Sequence, residues 1–369
     1  MLDSKRDDSR RVKRRFVTSF ALLASCPVLN ALFSRYGSVL FPAYRNLSRA
    51  WIALLSSIAS VVPLALWDWI VAVLVVGVIV SLVRSLRRRK SVLPALSALL
   101  LAISCMAFAF VAGWALNHFA PPLANELQLE VREYSVDELA DATGAYLHEA
   151  AELADQVPRH DDGSLARQDF FELARVAGAA YAPLAERYPI FQGPTHPVKA
   201  LLIWGEPLLY SGHTGIFWAP TGESCVPLNC PAADAPYIMC HEAAHRLGLA
   251  SEQEANFAAY LACKESSDAR LAYSGALNAF GYCFNALYRY DPECATALLQ
   301  EAAEENAGVA LVWNDRIQAR EAYDAYEGTF ERVGTAVNDT YLKSFGETEG
   351  VRSYGLVVDY LIAWQLSNS

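Results

Sequence analysis

The hydrophobic pattern of the chain changes near residue 118. Before that point apolar residues form long runs with few charges, and after it they recur at the three- and four-residue spacing of amphipathic helices. An apolar stretch of about 18 residues is long enough to cross a bilayer. The pattern therefore predicts a mainly α fold in two parts, a membrane anchor over 1–118 and a helical domain over 119–369.

Three transmembrane helices are predicted in the anchor, at about 16–33, 64–83 and 93–116. Residues 48–61 predict an interfacial or re-entrant helix between the first two spans. Asp68 falls near the outer end of the second span, where a carboxylate costs less than at the bilayer centre. The first run could instead be a signal peptide, but it lacks a clear small-residue cleavage site and further apolar runs follow, which favours a retained anchor.

Charge is distributed unevenly between the two parts. Residues 1–118 contain 15 lysines and arginines against 4 aspartates and glutamates, whereas residues 119–369 contain 15 against 36. Basic clusters at 5–15 and 84–90 flank the predicted spans. The positive-inside rule then predicts a multi-pass protein of the cell membrane with a cytoplasmic N-terminus and an extracytoplasmic rear domain. The bilayer is the expected partner of the anchor, and the acidic rear domain argues against nucleic acid as a partner.

Six of the eight cysteines lie in the rear domain. In an oxidising compartment they could form disulfides, with Cys225–Cys230 and Cys283–Cys294 as local pairs. Buried free thiols are the alternative interpretation.

The candidate chemistry lies in an HExxH motif, in which His241 and His245 flank Glu242. Residues four apart share one face of a helix, so the two imidazoles can converge on one ion, and Glu242 is positioned beside it as a general base. Asp234 as N-cap and Gly248 after the last turn predict a helix from about 235 to 247. Chance occurrence of the motif on an ordinary helix is the competing explanation.

A zinc site with two histidines requires a third protein ligand, and two glutamates follow a short turn. Glu252, Ala255 and Asn256 resemble the ExxAD stretch of membrane-associated gluzincin peptidases, with asparagine in place of aspartate. The resemblance implies that Glu252 is the ligand and that Asn256 orients an imidazole. Helix geometry leaves Glu254 open as the ligand, although Glu254 also fits a capping box with Ser251.

A zinc peptidase also needs a group that stabilises the oxyanion of its tetrahedral intermediate. No histidine follows His245, so the donor would be a tyrosine, an arginine or an upstream histidine. The candidates are Tyr273, Arg352, Tyr354 and His213.

Two short apolar segments precede the motif, at 199–204 and 215–219, and predict strands joined by a turn around Gly205 and Pro207. They would form a small β-hairpin or sheet. In gluzincin-like peptidases an edge strand near the HExxH helix pairs with extended substrate, which makes one segment the candidate substrate strand. Its residues are Ile216, Phe217, Trp218 and Ala219. The alternative is a hairpin that only covers the helix.

Five segments of the rear domain resemble an uncharacterised bacterial family, a domain of unknown function, of three-span membrane proteins with an HExxH domain. They are PTGES (220–224), CHEAAH (240–245), EQEANF (252–257), YLKS (341–344) and GVRSYG (350–355). The resemblance implies a membrane-bound zinc metallopeptidase that is gluzincin-like. The segment 225–230 departs from the more polar loop expected there.

The expected function is therefore hydrolysis of peptide bonds in a peptide or protein substrate, with Zn²⁺ as cofactor and Glu242 as the catalytic base. Two alternatives stay open: a non-catalytic, metal-containing module that binds an envelope partner, and a membrane sensor without metal. No feature of the sequence fixes the substrate or the oligomeric state.

Overall fold

The structure is a computed structural model that describes residues 2–89, 91–345 and 353–368, with the backbone alone for 2–7 and 353–356. It is mainly helical and carries one small sheet, as the hydrophobic pattern predicts. The helices of the front part are α1 (Leu2–Ala59), α2 (Leu66–Arg87) and α3 (Leu93–Gly113), followed by a 3-10 turn at Ala115–Phe119.

The rear part is built from twelve further α-helices among the described residues. They are α4 (Leu123–Leu127), α5 (Val136–Leu153), α6 (Phe170–Ala179), α7 (Ala182–Arg187), α8 (Gly205–Tyr210), α9 (Ala235–Arg246), α10 (Glu252–Lys264), α11 (Ala269–Tyr290), α12 (Pro292–Glu305), α13 (Gly308–Asp324), α14 (Thr329–Ser344) and α15 (Ser353–Asn368). The capping box predicted by sequence at Ser135 and Glu138 opens α5, with both hydrogen bonds formed. α9 and α10 lie inside this part, because most of their side chains are buried.

Three helical segments are long and apolar enough to cross a membrane. They are Asp8–Ala59, Leu66–Arg87 and Leu93–Phe119. The first is longer than the predicted span, since α1 continues past residue 33 and is broken only at Tyr36, whose backbone is not helical. The segment predicted as an interfacial helix is therefore the second half of α1.

The sheet has three strands, β1 (Lys199–Leu201), β2 (Ile216–Trp218) and β3 (Glu223–Pro227), in the order β1-β3-β2. The small sheet predicted before the motif is confirmed, but β1 and β2 do not pair directly as a hairpin. β3 lies between them, parallel to β1 and antiparallel to β2. The sequence pattern missed β3 because all five of its side chains are buried, so it shows no alternation of apolar and polar residues.

All eight cysteines are free thiols, which agrees with the second of the two interpretations and not with the local disulfides. Cys225 lies on the central strand β3 in a cluster with Trp67 and Leu201. Cys230 instead approaches the hydroxyl of Tyr323, at 3.5 Å. The two thiols of the expected local pair thus face different partners.

Buried charges join the front part to the sheet. Asp68, at the start of α2, accepts hydrogen bonds from the backbone N–H groups of Leu202, Ile203 and Trp204, at 2.9 to 3.0 Å. These contacts offset the cost of burying its carboxylate. Asp68 therefore lies at a junction between α2 and the sheet.

A second carboxylate, Glu223, completes this junction. It accepts hydrogen bonds from the backbone of Leu66 and Trp67 at 2.8 and 3.1 Å, and it pairs with Lys199 at 2.9 Å. Both side chains of the ion pair are buried. The carboxylate of Glu223 on β3 thus binds the backbone of the first turn of α2.

Replacing Glu223 by glutamine is expected to destabilise the fold by about 3–5 kcal/mol, because the buried Lys199 ammonium would lose its counter-ion. The measurement is the thermal unfolding midpoint of the full chain in detergent. The exposed Glu206 offers a matched control, since Glu206→Gln removes the same charge at the surface. Equal midpoints for the two variants would contradict the role of the ion pair.

Candidate metal centre

The HExxH motif lies on α9, as predicted. The helix ends at Arg246, and Gly248 follows in the left-handed region at φ +95°. Asp234 occupies the N-cap position without a side-chain capping bond, and its Oδ1 instead accepts from Asn278 at 3.3 Å. The tight turn after Gly248 reverses the chain, so that the start of α10 faces the end of α9.

Three potential ligand atoms converge between these two helices, one each from His241, His245 and Glu252, all within 4.8 Å of one another. The Nε2 atoms of the two imidazoles are 3.0 Å apart. An oxygen of Glu252 lies 3.2 Å from Nε2 of His241 and 3.7 Å from Nε2 of His245. This group could hold a metal ion.

The donor set fits a metal ion chemically. Nδ1 of His245 lies 2.7 Å from the carbonyl oxygen of Leu249. A proton on Nδ1 donated to that carbonyl leaves the Nε2 lone pair facing Glu252. Two imidazole nitrogens and one carboxylate oxygen are a ligand set found in catalytic zinc sites.

Protonation states at the group follow from burial and from the carboxylate. Burial lowers the pKa of His241, which keeps this ring neutral, the form that binds metal. Burial also lowers the pKa of His245, but the Glu252 charge outweighs it and raises the pKa to about 9 without a metal. A metal ion that binds Nε2 of His245 must therefore displace the proton on that nitrogen. Burial raises the pKa of Glu252, yet the two imidazoles lower it well below its usual range.

The structure separates the two candidate glutamates. Glu252 contacts both imidazoles, whereas Oε1 of Glu254 accepts a hydrogen bond from the backbone N–H of Leu123 at 2.6 Å and lies 3.3 Å from the hydroxyl of Tyr360. The predicted capping box is wrong, because Ser251 forms no side-chain cap and Glu254 points to α4. Glu252 is thus the carboxylate beside the histidines.

Glu242 is buried beside this group. The hydroxyl of Ser224 on β3 donates to the backbone carbonyl of Glu242 at 2.6 Å, which holds the centre of α9 against the sheet. Burial raises the pKa of the Glu242 carboxyl to about 8. Its Oε2 has no hydrogen-bond partner among the residues that the structure describes.

Glycine at position 215 makes room for Glu242. A Cβ added to Gly215 would lie 2.5 Å from Oε1 of Glu242 and 2.8 Å from its Cγ. Such distances are shorter than van der Waals contact, so a side chain here would displace the carboxylate. Sequence analysis missed Gly215, since a glycine before a strand carries no chemical signal of its own.

Asn256 is buried one turn after Glu252, close to His241. The hydroxyl of Tyr237 donates to the backbone carbonyl of Asn256 at 2.8 Å. Nδ1 of His241 and Nδ2 of Asn256 have no hydrogen-bond partner among the described residues, so the predicted orienting hydrogen bond is not formed here. Asn256 is nevertheless near the imidazole that it was predicted to orient.

The four predicted oxyanion donors lie in different places. Tyr273 donates its hydroxyl hydrogen to Asp315, which also pairs with Arg159, so its hydroxyl is engaged away from the histidines. Burial lowers the pKa of His213, and the negative charge of Glu252 opposes this lowering. Arg352 and the side chain of Tyr354 lie outside the described residues. Of the two candidates whose side chains are described, only His213 is subject to the charge of a residue of the group.

The predicted substrate strand is an edge strand. β2 pairs with β3 on one side only, through Ile216, Phe217 and Trp218. Gly215, which contacts Glu242, directly precedes it. Ala219 is buried just after the strand ends. The edge thus begins next to the acidic residue of the motif.

One contributor to the site comes from the front part of the chain. The indole N–H of Trp114, directly after α3, donates to the backbone carbonyl of His245 at 2.8 Å, and the two rings meet edge to face at 5.9 Å. The ring of Trp114 also packs against Phe217 at 5.4 Å. The sequence marks Trp114 only as an aromatic residue at the end of an apolar run, so its contact with the motif was not foreseen.

A family profile matches most of the chain, over residues 44–362, and its description reads "Protein of unknown function (DUF3810)". The chain belongs to the DUF3810 family. The match spans the end of α1, all of α2 and α3, the HExxH hairpin and most of α15. It confirms the expected family of unknown function, while the description names no activity. We find no significant match to this DUF3810 protein among curated proteins or solved structures.

Proposed function

We propose that this DUF3810 protein is a membrane-anchored, zinc-dependent metallopeptidase that hydrolyses peptide bonds on the extracytoplasmic side. The observation that carries the proposal is the convergence of His241, His245 and Glu252, with Glu242 of the same motif buried beside them. The distribution of basic clusters around the spans supports the proposed sidedness.

Zinc is the proposed ion because two imidazoles and one glutamate form its usual catalytic ligand set. His241, His245 and Glu252 would hold it, and when bound it supplies Lewis acidity that polarises a substrate carbonyl and activates water. A structural zinc site is closed by four protein ligands. Among the described residues the group has three, which favours a catalytic site over the alternative of a metal-containing binding module.

The charge of a bound metal ion would lower the raised pKa of Glu242 and favour its ionised form. Glu242 would then act as the general base that accepts a proton from the attacking water and later passes it to the leaving amine. Its unpartnered Oε2 is available for this transfer. The free edge of β2 would hold an extended substrate by backbone hydrogen bonds, beginning beside Gly215. His213 is the candidate donor to the developing oxyanion among the described residues. The other described candidate, Tyr273, has its hydroxyl bound to Asp315. Among the described residues, the one side-chain hydrogen-bond contact of His213, at 3.0 Å to the hydroxyl of Ser211, involves only its Nδ1.

The test uses the full chain purified in detergent. Metal content is measured by mass spectrometry, and hydrolysis of a fluorogenic peptide library is followed before and after chelation and after zinc is added back. We expect about one zinc per chain and activity that is lost and regained with the ion. Bound zinc without hydrolysis of any peptide would favour the binding module, and absence of metal would contradict both.

Substituting alanine for Gly215 is expected to lower hydrolysis by about 10²-fold, because the new methyl group would push the Glu242 carboxylate out of position. Metal content should not change, since the three atoms nearest to the added methyl group all belong to Glu242 and none belongs to a ligand. Gly328→Ala is the matched control, because a Cβ at Gly328 meets nothing within 4 Å. Full activity of the Gly215 variant would contradict the close approach to Glu242.

A further inference from the structure

The metal-binding group lies against the ends of two predicted membrane spans. α2 and α3 are joined by a short connection at 88–92, so the start of α2 and the end of α3 lie on the same side of the membrane. At the start of α2, Trp67 stacks on Trp218 with ring centroids 4.7 Å apart. At the end of α3, Trp114 contacts Phe217 and His245. The edge strand β2 is thus held between two membrane-terminal tryptophans.

These contacts fix the depth of the site. The 22 residues of α2 are about 33 Å long, close to the thickness of about 30 Å of the hydrocarbon core. The polar layer outside that core is roughly 5–8 Å thick on each side. Ring contacts of 4.7 and 5.9 Å from Trp67 and Trp114 therefore keep β2 and His245 at the level of the lipid headgroups.

The second half of α1 crosses the same membrane surface. Shortly after the break at Tyr36, Gly37 lies against Phe119, and the hydroxyl of Ser48 donates to the carbonyl of Gly113 at 2.7 Å. Eleven helical residues, about 16 Å, separate Gly37 from Ser48, yet Ser48 contacts the last residue of α3 and Gly37 the 3-10 turn that follows it. This segment therefore runs across the end of α3 instead of continuing away from the bilayer.

This segment of α1, residues 37–59, packs against protein with one face and exposes apolar side chains on another. Its buried residues pack on the rear part, where a Cβ at Gly222 in the β2–β3 turn would lie 3.0 Å from the carbonyl of Ile52. Exposed apolar residues recur along it at the spacing of one helix stripe. They are Leu47, Trp51, Leu54 and Ile58. An apolar stripe that continues from transmembrane helices fits the acyl region of a bilayer.

We infer that the substrates are polypeptide segments held at the membrane surface, such as the residues adjoining a membrane anchor, rather than freely soluble chains. This inference rests on the proposed peptidase function. A segment that pairs with the edge of β2 lies beside a strand that contacts Trp67 and Trp114, and therefore also within the headgroup layer. A bond several tens of ångströms above the bilayer cannot reach Glu242 while its chain stays anchored and stiff.

The test presents one cleavable peptide library in three forms to the full chain in phosphatidylethanolamine–phosphatidylglycerol vesicles. The first form is joined directly to a palmitoyl anchor, the second is separated from that anchor by a stiff spacer of twelve prolines, about 37 Å long, and the third is soluble. We expect the directly anchored form to be cut at least about tenfold faster than the spaced form. Both anchored forms share the same surface concentration, so the comparison isolates height above the bilayer.

The outcomes separate this inference from the proposed function. Equal rates for the direct and spaced forms would overturn the inference and leave the peptidase intact. No cleavage of any form, including the soluble one, would overturn both. Glu242→Gln in the same vesicles sets the background, and cutting that persists in that variant would count against both.

A second measurement tests the membrane position without any substrate. A nitroxide attached through Ile58→Cys, after Cys105→Ser removes the exposed native thiol, should collide with oxygen in the lipid more than with a water-soluble nickel chelate. Tyr290→Cys is the matched control, since Tyr290 is exposed on the rear part, and there the preference should be reversed. Preference for the nickel chelate at position 58 would overturn the inference.

Discussion

Replacing Glu242 by glutamine is expected to leave metal content unchanged and to lower peptide hydrolysis by a factor of about 10²–10⁴. Glutamine has nearly the same shape, so it fits beside Gly215 and preserves the packing of α9 on β3. It cannot accept the proton of the attacking water, because an amide is a far weaker base than a carboxylate. The substitution should therefore reduce peptide hydrolysis without reducing metal binding.

The measurement for Glu242→Gln combines metal analysis with kcat/KM on a peptide identified from the library. Glu206→Gln serves as the control, since it removes an exposed carboxylate of the same size. Wild-type activity in the Glu242 variant would exclude Glu242 as the base. Loss of metal along with activity would instead point to a disturbed fold at α9.

The second large effect is expected from the two glutamates of α10, which should differ sharply. Glu252→Ala removes the carboxylate that contacts both imidazoles and is expected to weaken zinc binding by more than the 10–100-fold typical of residues that only support a ligand. Glu254→Ala is expected to retain the metal. It should lower the free energy of unfolding by about 1–3 kcal/mol, because the N–H of Leu123 loses its acceptor.

Competition with a chromophoric chelator measures the zinc affinity of both variants, and thermal unfolding in detergent measures their stability. Each variant serves as the control for the other, because the two substitutions remove the same chemical group two residues apart. Weak zinc binding in Glu254→Ala together with tight binding in Glu252→Ala would reverse the assignment of the ligand.

The front part of the chain, residues 1–118, contributes residues that contact the candidate metal centre and the sheet beside it. Trp114 donates to the carbonyl of His245, and Glu223 on β3 holds the first turn of α2. The boundary at residue 118, where the hydrophobic pattern changes, therefore does not separate two independent packing units. The reason is that the pattern reports which side chains avoid water, and both lipid and protein satisfy that requirement.

Much of the site followed from local sequence. The four-residue spacing of His241 and His245 on a helix that ends at Gly248 needs only helix geometry, and both features are present. The long apolar runs likewise predicted three segments able to cross a membrane, because length and composition alone decide that property.

Other features were decided by the tertiary structure. Local spacing left Glu252 and Glu254 open, and the turn between α9 and α10 directs Glu252 to the imidazoles while α4 and Tyr360 engage Glu254. The placement of β3 between β1 and β2 and the contact of Gly215 with Glu242 join residues distant in sequence. Periodicity determines which face of an element is apolar, but the neighbour that meets this face depends on the path of the whole chain.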